Sequence, residues 1–86
     1  MMRTILQEHS LDVLHKHFQA LSRRQLEMCI LHTFGVTKST IADSYSITEE
    51  AVKQNIKRSV HKLELENSDA LRAAILVSIF AIMINK

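Results

Sequence analysis

The sequence contains no proline, one glycine and one cysteine among its 86 residues. The lack of proline and the near absence of glycine exclude collagen, proline-rich linkers and most turn-rich all-β folds. A single cysteine cannot form an internal disulfide, and Cys29 is predicted to be a small buried residue, consistent with a reducing cytoplasm. The net charge is only +2, so a nucleic-acid surface would require a local cluster of basic residues.

The length corresponds to one small domain, with no room for a separate sensor or catalytic domain. A chain of this size buries about 60% of its unfolded surface, so we expect further stabilisation from a dimer interface. No signal peptide is predicted, because Gln7, Glu8 and His9 interrupt the N-terminal apolar segment. We therefore expect a cytoplasmic protein.

Apolar residues at three- and four-residue steps predict five helices and an all-α fold. The first helix is predicted from about Arg3 to Gln19, with an apolar stripe of Leu6, Val13, Leu14, Phe18 and Leu21. The second begins at Ser22, where Gln25 completes a capping box. Its apolar period continues through Leu26, Cys29, Ile30 and Phe34, and Gly35 ends it.

Three further helices follow, each preceded by a capping residue. The third begins after Thr37 and ends near Ser44. The fourth is capped by Thr48 and reaches about Leu65, and its first turn carries two acids, as the helix dipole favours. The fifth starts at Asn67 or Ser68 and runs to the C-terminus.

The fourth helix separates an apolar face from a basic one. Its inward stripe is Val52, Ile56, Ser59, Val60 and Leu63, and its outward face carries Gln54, Lys57, Arg58 and His61 with Lys53 at the flank. Residues 53–62 include four cations and no acid, a pattern that suits DNA phosphates and base edges. A short helix, a tight polar turn and a longer basic helix are the parts of a helix-turn-helix, whose second helix enters the major groove.

The stretch from Leu21 to Leu65, LSRRQLEMCILHTFGVTKSTIADSYSITEEAVKQNIKRSVHKLEL, resembles the LuxR/GerE-type helix-turn-helix domain. Without gaps, the matching residues are Leu21, Ser22, Arg24, Glu27, Gly35, Thr37, Ile41, Ala42, Ile47, Thr48, Val52, Lys53, Lys62 and Leu63. The resemblance implies a four-helix DNA-binding core of a bacterial transcription regulator. Because only about twenty residues precede the matching stretch, the chain is most similar to the stand-alone GerE-like subgroup, whose activity would depend on abundance or on a partner.

In the family, the recognition helix reads bases with three positions that correspond here to Lys53, Gln54 and Lys57. The resemblance further implies phosphate contacts by Thr37, Lys38 and Lys62, and helix N-terminal amides at Thr37 and Thr48 can also face phosphates. With Arg58 of the outward face, the predicted DNA-binding residues are Thr37, Lys38, Thr48, Lys53, Gln54, Lys57, Arg58 and Lys62.

The chain departs from the family pattern at several positions. Gln25 replaces the usual acid after Arg24, so the internal Arg–acid pair is either lost or moved to Glu27. Ala51 and Asn55 replace the usual Thr and His, which weakens the argument for phosphate contacts there. In addition, Ser59 takes an apolar core position, and Ser68 replaces a common Arg.

The sequence divides into an N-terminal helical extension (1–20), the helix-turn-helix core (21–66) and an apolar C-terminal helix (67–86). Residues 73–84 hold one polar residue, so this helix must be covered all round, yet the run is too short to span a membrane. In the family the last helix often forms the dimer contact. We expect Ile75, Ile79 and Ile82 with their neighbours to pack one face on the domain and another on a second subunit.

No catalytic group, metal site or cofactor is predicted. His15 and His17 point to different faces of a helix, and no base–nucleophile set is visible. The favoured function is a homodimeric regulator that binds double-stranded DNA. Two alternatives remain: a protein-interaction module that kept the fold and modulates another regulator, and a sigma-factor region 4 look-alike that touches promoter DNA and RNA polymerase together.

Overall fold

Five helices joined by short turns make up the part of the chain that the computed structural model describes, residues 8–84. The helices are α1 (Glu8–His17), α2 (Arg23–Thr33), α3 (Lys38–Tyr45), α4 (Glu49–Lys62) and α5 (Ser68–Ile84). Over this range there is no strand, and the predicted all-α fold is confirmed. The predicted start of the first helix near Arg3 lies outside the described residues, as do residues 85 and 86.

Four helices begin at the predicted caps. The Ser22 and Gln25 side chains each accept a hydrogen bond from the other's backbone N–H, at 3.1 and 3.0 Å, which completes the capping box. The hydroxyls of Thr37 and Thr48 accept from the third residue of α3 and α4. The Asn67 Oδ1 accepts a hydrogen bond from the Ala70 N–H, so Asn67, and not Ser68, is the cap of α5. Each side chain satisfies an amide that the helix itself leaves unpaired.

The turns after α2 and α3 both use a left-handed residue. Gly35 has φ +90°, and the next N–H, that of Val36, donates back to the Leu31 carbonyl at 3.0 Å. Gly35 therefore ends α2 as predicted. Phe34 continues the apolar period in the sequence, but the helix already unwinds there, and its ring is 48% exposed.

Helix α2 is the centre of the fold, since each of the other four helices packs against it. Six of its eleven residues are buried: Leu26, Met28, Cys29, Ile30, Leu31 and Thr33. The predicted burial of Cys29 is confirmed, with no exposed surface. Burial on several sides explains why the apolar residues of α2 are not confined to one narrow stripe.

Helices α1 and α5 pack against each other and against α2, and together they complete the core. Helix α1 contributes Leu11 and Leu14, followed by Phe18 and Leu21 in the connection to α2, and all four are buried. Helix α5 contributes Leu71 and Ile75, which have no exposed surface. Within residues 8–84, no helix combines the length and the apolar character needed to cross a membrane.

Candidate nucleic-acid interface

Helices α3 and α4 pack closely on each other and are joined by a three-residue turn, Ser46 to Thr48. Ser46 adopts the left-handed conformation (φ 56°, ψ 45°), and the Ile47 N–H donates to the Ala42 carbonyl at 3.0 Å. Helix α3 therefore ends at Tyr45, one residue later than its predicted end near Ser44. Ala42 is buried in this corner, where a small side chain lets the two backbones approach.

The two faces of α4 are divided as predicted. Val52, Ile56 and Ser59 are buried, and Val60 and Leu63 are half-buried against the core. The polar face is solvent-exposed at Lys53, Gln54, Lys57, Arg58 and His61. Because α4 is anchored by its apolar side, the basic side chains stand on a rigid support and are free to reach a partner.

The basic face of α4 forms one wall of an open groove of about 900 Å³. The groove extends from α4 to the ends of three other helices, with His32 from α2, Lys38 from α3 and Ser68 from α5. Six of the eight predicted DNA-binding residues line it: Lys38, Lys53, Gln54, Lys57, Arg58 and Lys62. Its apolar floor is Ile56, Val60 and Leu65. We call this surface the basic groove.

Acids do not neutralise the basic groove. Among the described side chains, those of residues 11–84, the one ion pair joins Arg23 to Asp12, away from the groove. The Lys62 ammonium donates to the Gln25 side-chain oxygen at 3.2 Å, a neutral partner that leaves its charge uncompensated. Glu66 is the single acid that lines the groove. An uncompensated row of cations raises the local electrostatic potential and attracts anions.

Thr37 and Thr48 do not line the basic groove. Thr37 caps α3 and also donates its hydroxyl to the Thr40 hydroxyl at 3.0 Å. Thr48 lines a second, smaller crevice of about 430 Å³, together with Glu50. Glu49 and Glu50 occupy the first turn of α4, so a phosphate at this helix N-terminus would meet two negative charges.

His32 also lines the groove, and no role was predicted for it from the sequence. It is half-buried at the last turn of α2. Burial lowers the pKa of His32, and the charges of Lys38 and Arg72 lower it further. His32 and Lys38 line the same groove although they belong to two different helices, so no local sequence pattern links them.

The Arg–acid pair of the family pattern is absent among the described residues. Arg24 instead lies over the Tyr45 ring, 5.1 Å from its centroid. Glu27 accepts a 2.5 Å hydrogen bond from the Tyr45 hydroxyl. Burial, and then the Glu27 carboxylate, raise the pKa of Tyr45 far above its ordinary value. Tyr45 therefore links α3 to α2 through both Arg24 and Glu27.

Two of the departures from the family pattern lie where α4 meets the core. Ser59 has no exposed surface, and its hydroxyl donates to the Asn55 carbonyl at 2.9 Å. Burial raises the pKa of the Cys29 thiol, and the neighbouring Ser59 hydroxyl offsets part of that rise. The side-chain oxygen of Asn55 is buried and has no hydrogen-bond partner within the described residues. That oxygen therefore faces inward rather than toward a ligand outside.

The residues predicted for the dimer contact lie mainly on the covered side of α5. Ile75 has no exposed surface, so its prediction as a partner contact is corrected: it belongs to the domain's own core. Ile79 and Ile82 are half-buried against that core. The opposite side of α5 exposes Leu76, Val77, Phe80, Met83 and Ile84, each between 43% and 66%. We call these five residues the α5 apolar patch.

The histidines of the described chain do not converge. Among the side chains that the structure describes (residues 11–84), no group of three or more His, Cys, Asp or Glu residues could hold a metal ion. His15 instead has a structural partner, because its Nε2 lies 2.7 Å from the Leu21 carbonyl oxygen and donates to it. This bond ties the end of α1 to the connection that leads into α2.

Comparisons with protein-family models, curated proteins and solved structures find no match to this chain. The likeness to the LuxR/GerE-type domain therefore rests on the residues quoted for it and stays a prediction. The all-helical fold and the basic groove do not depend on that likeness.

Proposed function

We propose that the protein is a transcription regulator of the LuxR/GerE helix-turn-helix type, and that it binds double-stranded DNA with α4 in the major groove. The observation that carries the proposal is the basic groove, in which five Lys and Arg side chains from α3 and α4 face one open space with a single acid. DNA presents a dense row of phosphates, and such a surface binds it with release of counterions. The short α3, the tight turn and the longer α4 provide the matching shape.

Within this proposal the groove residues divide into two roles. Lys53, Gln54 and Lys57 project from the exposed side of α4 and are assigned to base edges. Lys38 and Lys62 lie at the start of α3 and the end of α4, where they suit backbone phosphates. Since Gln54 also donates to the Glu50 carboxylate at 3.0 Å, its amide is already oriented before DNA arrives.

The test is DNA binding by the intact chain, measured by fluorescence anisotropy over a series of salt concentrations. We expect selection from genomic fragments to yield preferred sites, and Lys57→Ala to cost about 1–3 kcal/mol at such a site through loss of a base contact. The exposed Lys16 of α1 lies off the groove, so Lys16→Ala is the matched control with the same change in charge. Equal losses in the two variants would assign the effect to net charge and contradict a role for α4.

Lys38→Ala separates phosphate contacts from base contacts. We expect it to weaken binding to preferred and random duplexes alike, and to reduce the salt slope by about one counterion. The measurement is the slope of log affinity against log salt for both duplexes. Loss of affinity at the preferred duplex alone would instead assign Lys38 to base recognition.

The proposal includes a homodimer that forms through α5. Five large apolar side chains exposed to this extent make a patch of roughly 600 Å², at the upper end of what single-chain proteins expose. A stable interface covers about 800 Å² on each partner, so the α5 apolar patch supplies most of that area. A two-fold dimer would present two α4 helices to half-sites about 10 base pairs apart, or a multiple of that distance.

A protein-interaction module is the second candidate, and the α5 apolar patch favours it. Such a module would use the patch to bind another regulator and would not need the basic groove. Random genomic fragments separate the two candidates: retardation that decreases with salt supports the DNA-binding regulator, whereas no retardation at low salt supports the interaction module.

A further inference from the structure

We infer that the basic groove also accepts an acidic amphipathic helix of a partner protein, and that this helix and DNA exclude each other. The inference rests on the proposed function and adds a means of regulation to it, because a partner that fills the groove releases the DNA. It is carried by the apolar floor of the groove, which DNA binding does not use.

The floor is shaped by the way in which α4 ends. Glu64 is left-handed (φ 56°), its N–H donates to the His61 carbonyl at 3.0 Å, and the Leu65 N–H donates to the Val60 carbonyl at 3.0 Å. These two bonds form a Schellman motif, which brings the side chains of Val60 and Leu65 together. Both side chains are half-buried and line the groove, so the floor is already formed before any partner arrives.

DNA does not account for this floor. Phosphates, sugars and base edges are polar, apart from the thymine methyl group. Val60 belongs to the apolar side of α4, whereas the residues assigned to base edges stand on its exposed side. Apolar surface is stabilised when it is buried against other apolar surface. A partner that uses the whole groove must therefore carry apolar side chains as well as negative charge.

The basic side chains beside the floor determine the charge of the partner. Lys53, Lys57 and His61 stand four residues apart, so they form one exposed row along α4. Lys38 of α3 adds a cation from a second helix. A helix that lies along α4 can place its own carboxylates beside this row at three- and four-residue steps. Such charge complementarity fixes the register of the two helices and speeds their association.

The length of the groove determines the kind of segment. Residues 53–62 of α4 rise by about 14 Å, and the groove beside them measures about 900 Å³. A partner helix of about ten residues covers that length, with apolar anchors at i, i+3 or i+4 and i+7. Glu66 lines the groove beyond the end of α4 and repels acids there. We therefore expect the acids of the partner to lie beside Lys53 and Lys57.

The first experiment uses the intact chain and two labelled synthetic peptides of about 14 residues. One is a helix of glutamate, alanine and leucine with leucines at three- and four-residue steps, and the other has the same residues in scrambled order. By fluorescence anisotropy we expect the amphipathic peptide to bind about tenfold more tightly or better, the effect of burying one leucine side chain. It should also displace a random-sequence duplex. Equal affinities, or a duplex that stays bound beside the peptide, would overturn the inference while the proposed function stands.

The second experiment separates the floor from the basic side chains. Val60→Thr keeps the shape of the floor but makes it polar, and we expect it to weaken the amphipathic peptide by about threefold more than it weakens the duplex. Val36→Thr is the matched control, because Val36 is half-buried at the end of α2 but lies outside the groove. Lys57→Ala should weaken both ligands.

Helix content measured by circular dichroism verifies that each variant is folded, and Leu65→Gln repeats the floor test if Val60→Thr is not. Equal losses for peptide and duplex in a folded floor variant, or no loss for the peptide, would overturn the inference. If no duplex binds at low salt, the proposed function fails. In that case the preference for the amphipathic peptide over the scrambled one still decides whether the groove accepts an acidic helix.

Discussion

Among single residues, Tyr45 is the one that ties α3 to α2. This tie helps to fix the position of α3 on the core, as the proposed joint contact of α3 and α4 with DNA requires. Its hydroxyl donates to Glu27 of α2, and its ring supports the Arg24 guanidinium. A hydrogen bond to a carboxylate is stronger than one between neutral groups. We expect Tyr45→Phe to lower the free energy of unfolding by about 1–2 kcal/mol, measured with urea, because the ring stays while the donor is lost.

The same residue gives a pH-dependent prediction. Burial and the Glu27 carboxylate raise the folded-state pKa of Tyr45 above its ordinary value, so its contribution is complete below about pH 10 and decreases as pH rises beyond that point. The difference in unfolding free energy between wild type and Tyr45→Phe should therefore be constant from neutral pH to about pH 10 and shrink above it. A difference that increases above this pH would contradict the assigned hydrogen bond.

Individual side chains were predictable where their role is local. The capping box of Ser22 and Gln25, the caps Thr37 and Thr48 and the burial of Cys29 depend on near neighbours in sequence or on apolar character, and all follow from the residues alone. The link between Tyr45 and Glu27 differs in kind. These two residues meet only because α3 packs on α2, and no local pattern in the sequence indicates that contact.

At the level of helices, Gly35 decides where α2 stops and α3 can begin. Its φ of +90° is a backbone conformation that residues with a Cβ rarely adopt. Space is not the obstacle, because no atom lies within 4 Å of the position that a Cβ would take. We therefore expect Gly35→Ala to destabilise the fold by about 1–2 kcal/mol through backbone strain alone. Gly35→Asn is the matched control and should cost less, because Asn tolerates the left-handed region. Thermal unfolding of the three proteins measures this, and equal stability of wild type and Gly35→Ala would contradict the assignment.

Helix positions were predicted well, while the helix faces were predicted only in part. The two sides of α4 follow from its sequence because one side is apolar and the other is charged. Helix α5 is apolar on nearly every side, so its sequence cannot tell which side faces the core. The fold places Leu71 and Ile75 inward, and it leaves Val77 and Phe80 exposed. Phe34 belongs to an apolar period in the sequence but is exposed, because such a period does not reveal the residue at which the helix unwinds.

For the chain as a whole, its two unusual surfaces have opposite character. The basic groove is suited to an anionic partner, whereas the α5 apolar patch is suited to an apolar surface. The proposed dimeric regulator would use both surfaces at once, because the patch would join two chains and so place two basic grooves on one duplex. Because each subunit adds its own phosphate contacts, dimer formation also steepens the dependence of DNA binding on salt.

This division of roles predicts that Phe80→Glu separates assembly from folding. Phe80 is 63% exposed, so a carboxylate there costs a single chain little but would be buried without a partner in an interface. By sedimentation at micromolar concentration, we expect the wild type to be dimeric and Phe80→Glu to be monomeric with unchanged helix content. Gln19→Glu places the same charge at an exposed position after α1 and should remain dimeric. A wild type that sediments as a folded monomer would end the dimer proposal. If Phe80→Glu is monomeric and binds a single half-site, but with lower affinity than the wild-type dimer has for a full site, then the patch affects DNA binding only through dimer formation.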